Sequence, residues 1–227
     1  MTRQRIAAAF ALVGLALLGW GSYLGLWVAP PDRYMGDVQR IMYVHVPFAW
    51  LALLVFTLAF IYAILFLVRR TWRWDALHEA ALELGVLYTA LLCVQGALWG
   101  KPTWGVYWAW DPRLTTVAVM LLSFAGILAL RHFLDDPVRR ASWSATATIL
   151  ASANVPIVYY SVRWWNSLHQ LQSTPKTVSS SMVEPLRINA FGLLALTIAL
   201  LMIRSWIADA RRRQALAPPL PQSGGEV

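Results

Sequence analysis

The stretch Val46-Pro47-Phe48-Ala49-Trp50-Leu51-Ala52-Leu53-Leu54-Val55-Phe56-Thr57-Leu58-Ala59-Phe60-Ile61-Tyr62-Ala63-Ile64-Leu65-Phe66-Leu67-Val68, closed by Arg69-Arg70, decides the fold. It carries no charged side chain, and a helix of this length, at about 1.5 Å per residue, crosses the roughly 30 Å hydrocarbon layer of a bilayer. Five further stretches, near 6–28, 81–100, 114–131, 142–162 and 186–206, are apolar over comparable lengths of roughly 18–23 residues. Of the 227 residues 59% are hydrophobic and 13% charged, the latter about half the share of a soluble domain. A water-soluble chain of this size could not hide so much apolar surface. The reading is an all-α integral membrane protein with six transmembrane helices.

The formal net charge of +8 does not point to nucleic acid, because the basic residues fall in short clusters between apolar spans. Arg3 and Arg5 precede the first span and Arg69, Arg70 and Arg73 follow the second. Arg131, Arg139 and Arg140 follow the fourth, and Arg204, Arg211, Arg212 and Arg213 follow the sixth. All lie on one side, which the positive-inside rule makes cytoplasmic, with both termini. The other side holds fewer cations: Arg33, Arg40, Lys101, Arg113, Arg163, Lys176 and Arg187. The first span has the basic start of a signal peptide, but its apolar run is too long and Trp27-Val28-Ala29-Pro30 is a poor cleavage site, so it reads as a retained helix. The chain divides into one membrane domain, 1–206, and a cytoplasmic tail, 207–227, whose Pro-, Ser- and Gly-rich end has the composition of disorder. Connections 69–80 and 132–141 read as short charged turns. The outer ones, 29–45, 101–113 and 163–185, are longer, and function is sought there.

One outer connection stands apart: Trp104-Gly105-Val106-Tyr107-Trp108-Ala109-Trp110-Asp111-Pro112-Arg113-Leu114-Thr115. Interfacial aromatic belts account for Trp20, Trp27, Trp99, Trp143 and Trp206, and an inner-face anchor accounts for Trp72 and Trp74. They do not account for Trp104, Trp108 and Trp110 gathered in one short loop beside fixed charges. Asp111-Pro112 has the form of a helix N-cap followed by proline at the first helical position. Arg113 then falls in the first turn, where the helix dipole disfavours a cation; it serves either an anionic ligand group or a pair with Asp111. Large flat apolar faces beside charges suit a flat amphipathic ligand at a membrane surface.

The four histidines divide by side. His78 and His132 fall on the arginine-rich side and read as solvated or headgroup-facing. His45, in Tyr43-Val44-His45-Val46-Pro47, and His169, in Trp164-Trp165-Asn166-Ser167-Leu168-His169-Gln170, share the side of the tryptophan loop. Two neutral imidazoles flanking an aromatic platform match a planar metalloporphyrin, which takes an axial nitrogen on each face and cations for its propionates. The single cysteine, Cys93, excludes an intrachain disulfide and a CxxC motif, and no tight Cys/His/Glu cluster completes a zinc site.

Trp104-Gly-x-x-Trp108-x-Trp110-Asp111-x-Arg113-Leu114-Thr115 resembles the tryptophan-rich "WWD" signature of the haem-handling membrane protein superfamily, and the segments around His45 and His169 resemble its two flanking-histidine segments. Six spans and a short chain match the C component of bacterial cytochrome c maturation, the CcmC family, over nearly the whole chain except the tail. The resemblance implies a protein of the bacterial cytoplasmic (inner) membrane that binds haem b as cargo at the periplasmic face and presents it to the haem chaperone CcmE for covalent attachment. It implies His45 and His169 as axial ligands of the iron and Trp104, Trp108, Trp110 and Asp111 as the platform. CcmD and the ABC transporter subunits CcmA and CcmB are the implied partners. Arg113, and after it Arg163 and Lys176, are candidates for the propionates. No residue is an evident catalytic acid, base or nucleophile, and no P-loop is present.

Two rival readings belong to other classes. A haem permease needs polar residues along an intramembrane path, for which Glu83, Gln95 and Asn154 are scattered candidates. An electron-transfer cytochrome buries paired histidines within its helices, whereas His45 and His169 lie at helix ends. Pro156 is expected to kink the fifth span.

Overall fold

A computed structural model describes residues 2–171 and 178–216, with the side chains of 215 and 216 left aside. Helix α1 (Arg3–Tyr23) continues into a π-helical turn, Leu24–Val28. A 3-10 turn at Asp37–Ile41 leads into α2 (Met42–Arg69), followed by α3 (Trp72–Trp104), α4 (Pro112–Phe133), α5 (Pro137–Ala151), α6 (Asn154–Trp164) and α7 (Ser180–Leu216). Six helical spans are long and apolar enough to cross a membrane, with α5 and α6 together forming the fifth. Among the described residues there is no strand, only an isolated bridge between Asp32 and Gly36.

The helices are held by close backbone approach and by ring stacking. A Cβ on Gly14 would meet the Leu196 nitrogen at 2.8 Å, and one on Gly192 would meet the Leu18 nitrogen at 2.9 Å, so α1 and α7 touch backbone to backbone. In lipid, where helix association gains little from apolar burial, such small-residue contacts supply the packing. At the centre the Phe56 and Phe124 rings stack at 3.8 Å, joining α2 to α4. Tyr88 and Thr197 share a buried 2.9 Å hydrogen bond between α3 and α7.

The fifth span is broken at Ser152–Ala153 rather than bent. Pro156 lacks the N–H that would bond the Ser152 carbonyl, so the interruption sits one turn before the proline. Asn154 donates from Nδ2 to the Thr116 carbonyl at 2.8 Å, fastening the break to α4.

The arginine-rich end departs from the expected charged turns. Helix α3 begins at Trp72, which shortens the expected 69–80 connection to Arg70 and Thr71; Arg70 makes the reversal with φ 51°. Phe66 and Tyr62 of α2 pack on Trp72 and Trp74, each at 6.0 Å, and this packing pulls the helix start forward. His78 is not solvated: it is fully buried, with Nε2 2.9 Å from Thr148 Oγ1. Beside it the buried Arg131 donates to Asp75 at 2.8 Å and to Glu79 at 2.5 Å, and Arg212 of α7 donates to the same Asp75 carboxylate. Four charges brought together from three helices neutralise one another, which lets this end close over the histidine. His132 is exposed, as read. Helix α7 also runs to Leu216, past the expected boundary at 206; the remainder of the tail, from 217, lies outside the described residues.

Candidate functional site

At the opposite end from the arginine network, one cleft opens between α2, α3, α4 and α6. It is partly open to solvent and lined mostly by apolar side chains with a few convergent polar groups, the character of a ligand site. His45, Trp104, Trp108, Arg113 and His169 line its upper part, while Leu53, Leu92, Val117 and Met120 line it a turn or more further along their helices. The walls are therefore apolar below and carry imidazole, indole and guanidinium above.

His45 lies in the first turns of α2, which starts at Met42; Pro47 falls inside the helix rather than opening it. The ring is buried and packs edge-on against Trp99 at 5.4 Å. Its Nδ1 has no hydrogen-bond partner among the described residues. Below it stands Gly96, where a Cβ would come to 3.4 Å of His45 Cε1, so a side chain of any length would enter the cleft. Trp99 thus serves as the wall of His45, a role that a belt tryptophan at a helix end does not announce in sequence.

Helix α3 ends at Trp104 because Gly105 takes φ 80°, the left-handed conformation glycine adopts freely. Lys101 reinforces the turn, donating from Nζ to the Gly105 carbonyl at 2.9 Å. The loop then places its tryptophans differently. Trp104 and Trp108 line the cleft, whereas Trp110 is 80% exposed and meets Trp108 edge-on at 5.8 Å from outside.

Asp111 caps α4, accepting from the Arg113 and Leu114 N–H groups at 2.8 and 3.4 Å. The same buried carboxylate accepts from Ser167 Oγ at 3.0 Å and from the Leu168 N–H at 2.7 Å. It is a clamp between the tryptophan loop and the segment carrying His169, and it does not line the cleft. Arg113 makes no ion pair with Asp111; its Nη1 donates to the Val158 and Tyr159 carbonyls of α6 at 2.6 and 3.3 Å. Those carbonyls offset the unfavourable first-turn position and hold the cation at the cleft wall. Arg163 is exposed, lies 6.0 Å over the Tyr160 ring and does not line the cleft; Lys176 lies outside the described residues.

His169 faces His45 across the cleft with ring centroids 6.5 Å apart and planes inclined by 30°. Trp104 packs edge-on against it at 6.5 Å. Its Nδ1 is 2.8 Å from the Gln170 carbonyl, which fixes the proton on Nδ1 and leaves Nε2 as the lone pair. Burial holds its pKa below the ordinary histidine value; the Gln170 carbonyl opposes that and the Arg113 charge adds to it. The ring is therefore neutral at pH 7 and competent as a metal ligand.

No hydrogen bond joins the two rings, and two imidazoles bound to one metal at about 2.0–2.1 Å would have a comparable centroid separation. Among the described residues no group of three or more His, Cys, Asp or Glu is placed to hold a metal. A bare cation would find too few donors here; a metal carrying its own planar ligand set needs only two.

Known proteins are similar to this chain over most of its length. The family model described as heme exporter protein C matches residues 1–217. A heme exporter protein C from Bradyrhizobium diazoefficiens is 38% identical over 215 residues, covering 92% of this chain and 81% of that protein. A heme exporter protein C from Escherichia coli K12 is 34% identical over 209 residues, 91% of this chain and 84% of that one. A protein of Marchantia polymorpha named for cytochrome c biosynthesis and described as ccmC-like and mitochondrial is 36% identical over 167 residues, 72% of this chain and 71% of its own.

Proposed function

This chain belongs to the heme exporter protein C family, and from that membership we propose that it binds haem at the tryptophan-loop end and presents it to the chaperone CcmE during c-type cytochrome biogenesis. The observation that carries the reading is the opposed pair His45 and His169, 6.5 Å apart in a cleft with an apolar floor. Haem is cargo. Its iron takes an imidazole from each side, its apolar edge fits the Leu53, Leu92 and Met120 depth, and its propionates stay near Arg113.

The two ligands are held unequally. His45 is set in a helix against Trp99, while His169 sits on a loop fastened through Asp111. His169 is accordingly the ligand that releases when cargo leaves, and Trp110, exposed beside the cleft, is the surface the chaperone meets. The haem face is periplasmic in this reading and the arginine-rich end cytoplasmic, following the distribution of basic residues in the inner membrane. CcmD and the CcmA–CcmB transporter are its partners, and ATP is hydrolysed by the transporter.

Of the three polar span residues that a permease would use, Glu83 pairs with Arg204 through two hydrogen bonds at 2.5 and 2.6 Å and Asn154 is bound to Thr116, whereas Gln95 Oε1 is shielded from solvent with no hydrogen-bond partner among the described residues. Two of the three are held by structural contacts between helices, and that supports presentation over transport. The test is the absorption spectrum of purified protein. His45→Ala and His169→Ala are expected to lose haem or its six-coordinate spectrum, and the exposed His132→Ala to leave both unchanged. Retention of the wild-type spectrum in both cleft variants would overturn the assignment.

A further inference from the structure

A second pocket lies at the arginine-rich end, bounded by the start of α1, the start of α3 and the end of α7. Its lining includes Arg3, Trp72, Arg73, Asp209, Arg212 and Arg213. Two of these cations are already neutralised: Arg212 by Asp75, and Arg213 by Asp209 at 2.8 Å one turn earlier. Arg3 and Arg73 meet no carboxylate among the described residues; Arg73 lies 5.5 Å over the Trp74 ring. Helix α3 adds to the positive field, because its N-terminus opens here and Thr71 makes no side-chain cap to it. The dipole at such an end favours an anion.

We propose that this pocket binds the phosphate of an anionic phospholipid, with Arg3 and Arg73 as the charged contacts. Phosphate chemistry follows from two unpaired guanidiniums converging with an uncapped helix start. A lipid source follows from position. All three walls are ends of membrane spans, and Trp72, which lines the pocket, is an aromatic at such a span end. Trp72 is half-buried with the Arg212 guanidinium 4.9 Å over its ring, so an indole and its paired cation form the back wall of the pocket. Basic pockets between helices at a membrane surface are suited to anionic headgroups. The pocket lies at the other end of the bundle from the haem cleft, and the inference does not depend on what that cleft holds.

The full-length protein is placed in nanodiscs of phosphatidylcholine alone or with phosphatidylglycerol, and thermal unfolding and lipid retention by native mass spectrometry are measured. The wild type is compared with an Arg3→Gln, Arg73→Gln double variant, both positions exposed and outside the buried ion network. Phosphatidylglycerol is expected to raise the wild-type unfolding temperature and to remain bound, with retention about ten- to thirtyfold weaker in the double variant. Equal retention by both proteins overturns the site. Inorganic phosphate added to phosphatidylcholine discs separates the sources: equal protection by phosphate alone overturns the lipid assignment. Circular dichroism of the double variant in phosphatidylcholine confirms that it is folded.

Discussion

Asp111 and Leu168, 57 positions apart, are joined by a 2.7 Å hydrogen bond in which the Leu168 N–H donates to the Asp111 carboxylate. The other carboxylate oxygen caps α4 and accepts from Ser167, so one buried side chain fixes the helix start and the position of the neighbouring His169. Asp111 acts on a ligand through this clamp and is a positioning residue.

Asp111→Asn separates the two roles. The amide oxygen can still cap α4, but the amide nitrogen then faces the Leu168 N–H, donor against donor. The cap is expected to hold, with stability lowered by only about 1–2 kcal/mol, while His169 loses its fixed place. Haem spectra should shift toward five-coordinate iron with His45 retained, and the shift should exceed anything seen in Ser167→Ala. An unchanged spectrum in Asp111→Asn would show that the clamp does not position the ligand.

Part of the pH response follows from the depressed pKa of His169. An unfolded histidine takes up its proton near pH 6.5, whereas the folded ring does so only at lower pH. Between those values the unfolded state binds more protons, so stability of the haem-free protein falls as pH drops below about 6.5. His169→Asn should make that limb shallower without abolishing it, because the buried His45 and His78 also take up protons on unfolding. The haem-loaded protein should hold its six-coordinate spectrum through the same window, because Nε2 remains unprotonated. Loss of coordination already at pH 6.5 would contradict the burial of this ring.

The six spans were legible because hydropathy is a local property, and the α4 cap at Asp111-Pro112 was legible because its partners are two and three residues away. What sequence could not carry was long-range. His78 looks like a solvated residue in an arginine-rich stretch until Thr148, Arg131 and Arg212 arrive from three other helices. The division of the loop between lining Trp108 and exposed Trp110 depends on Gly105 reversing the chain and on Asp111 tying it down. Both kinds of tryptophan look alike in composition.

That division can be tested directly. Trp108→Ala removes a wall of the cleft and is expected to weaken haem retention about tenfold or more, in line with about 1.5–3 kcal/mol for losing a buried side-chain contact. Trp110→Ala should leave haem content intact, since the ring is 80% exposed, and should slow transfer to purified CcmE in a mixing experiment. If the two variants lose haem equally, the exposed indole is part of the haem site and not a docking surface.

Gly96 offers a test that separates cleft volume from folding. Replacement by Ala puts a Cβ at 3.4 Å from His45 Cε1, ordinary contact, and gains up to about 1 kcal/mol in helix propensity. Gly96→Leu fills the space beneath His45. Its unfolding temperature should match that of Gly96→Ala while its haem content falls sharply. Haem retained at wild-type level in Gly96→Leu would place the ring away from α3.

The last prediction concerns the opposite end. Asp75 is the shared acceptor of Arg131 and Arg212, and all three are buried. Removing it leaves two guanidiniums in the bundle with Glu79 as the remaining carboxylate, at a cost of about 3–5 kcal/mol for an uncompensated buried charge. Glu79 is partly exposed and bonds Arg131 alone, so Glu79→Ala should cost far less, about 1 kcal/mol. Asp75→Ala should therefore accumulate poorly or unfold well below wild type in detergent, and the protein that does fold should carry a normal haem spectrum, because the cleft is built from other contacts. Equal stability of the Asp75→Ala and Glu79→Ala proteins would mean that water reaches this network and that its charges are solvated rather than paired.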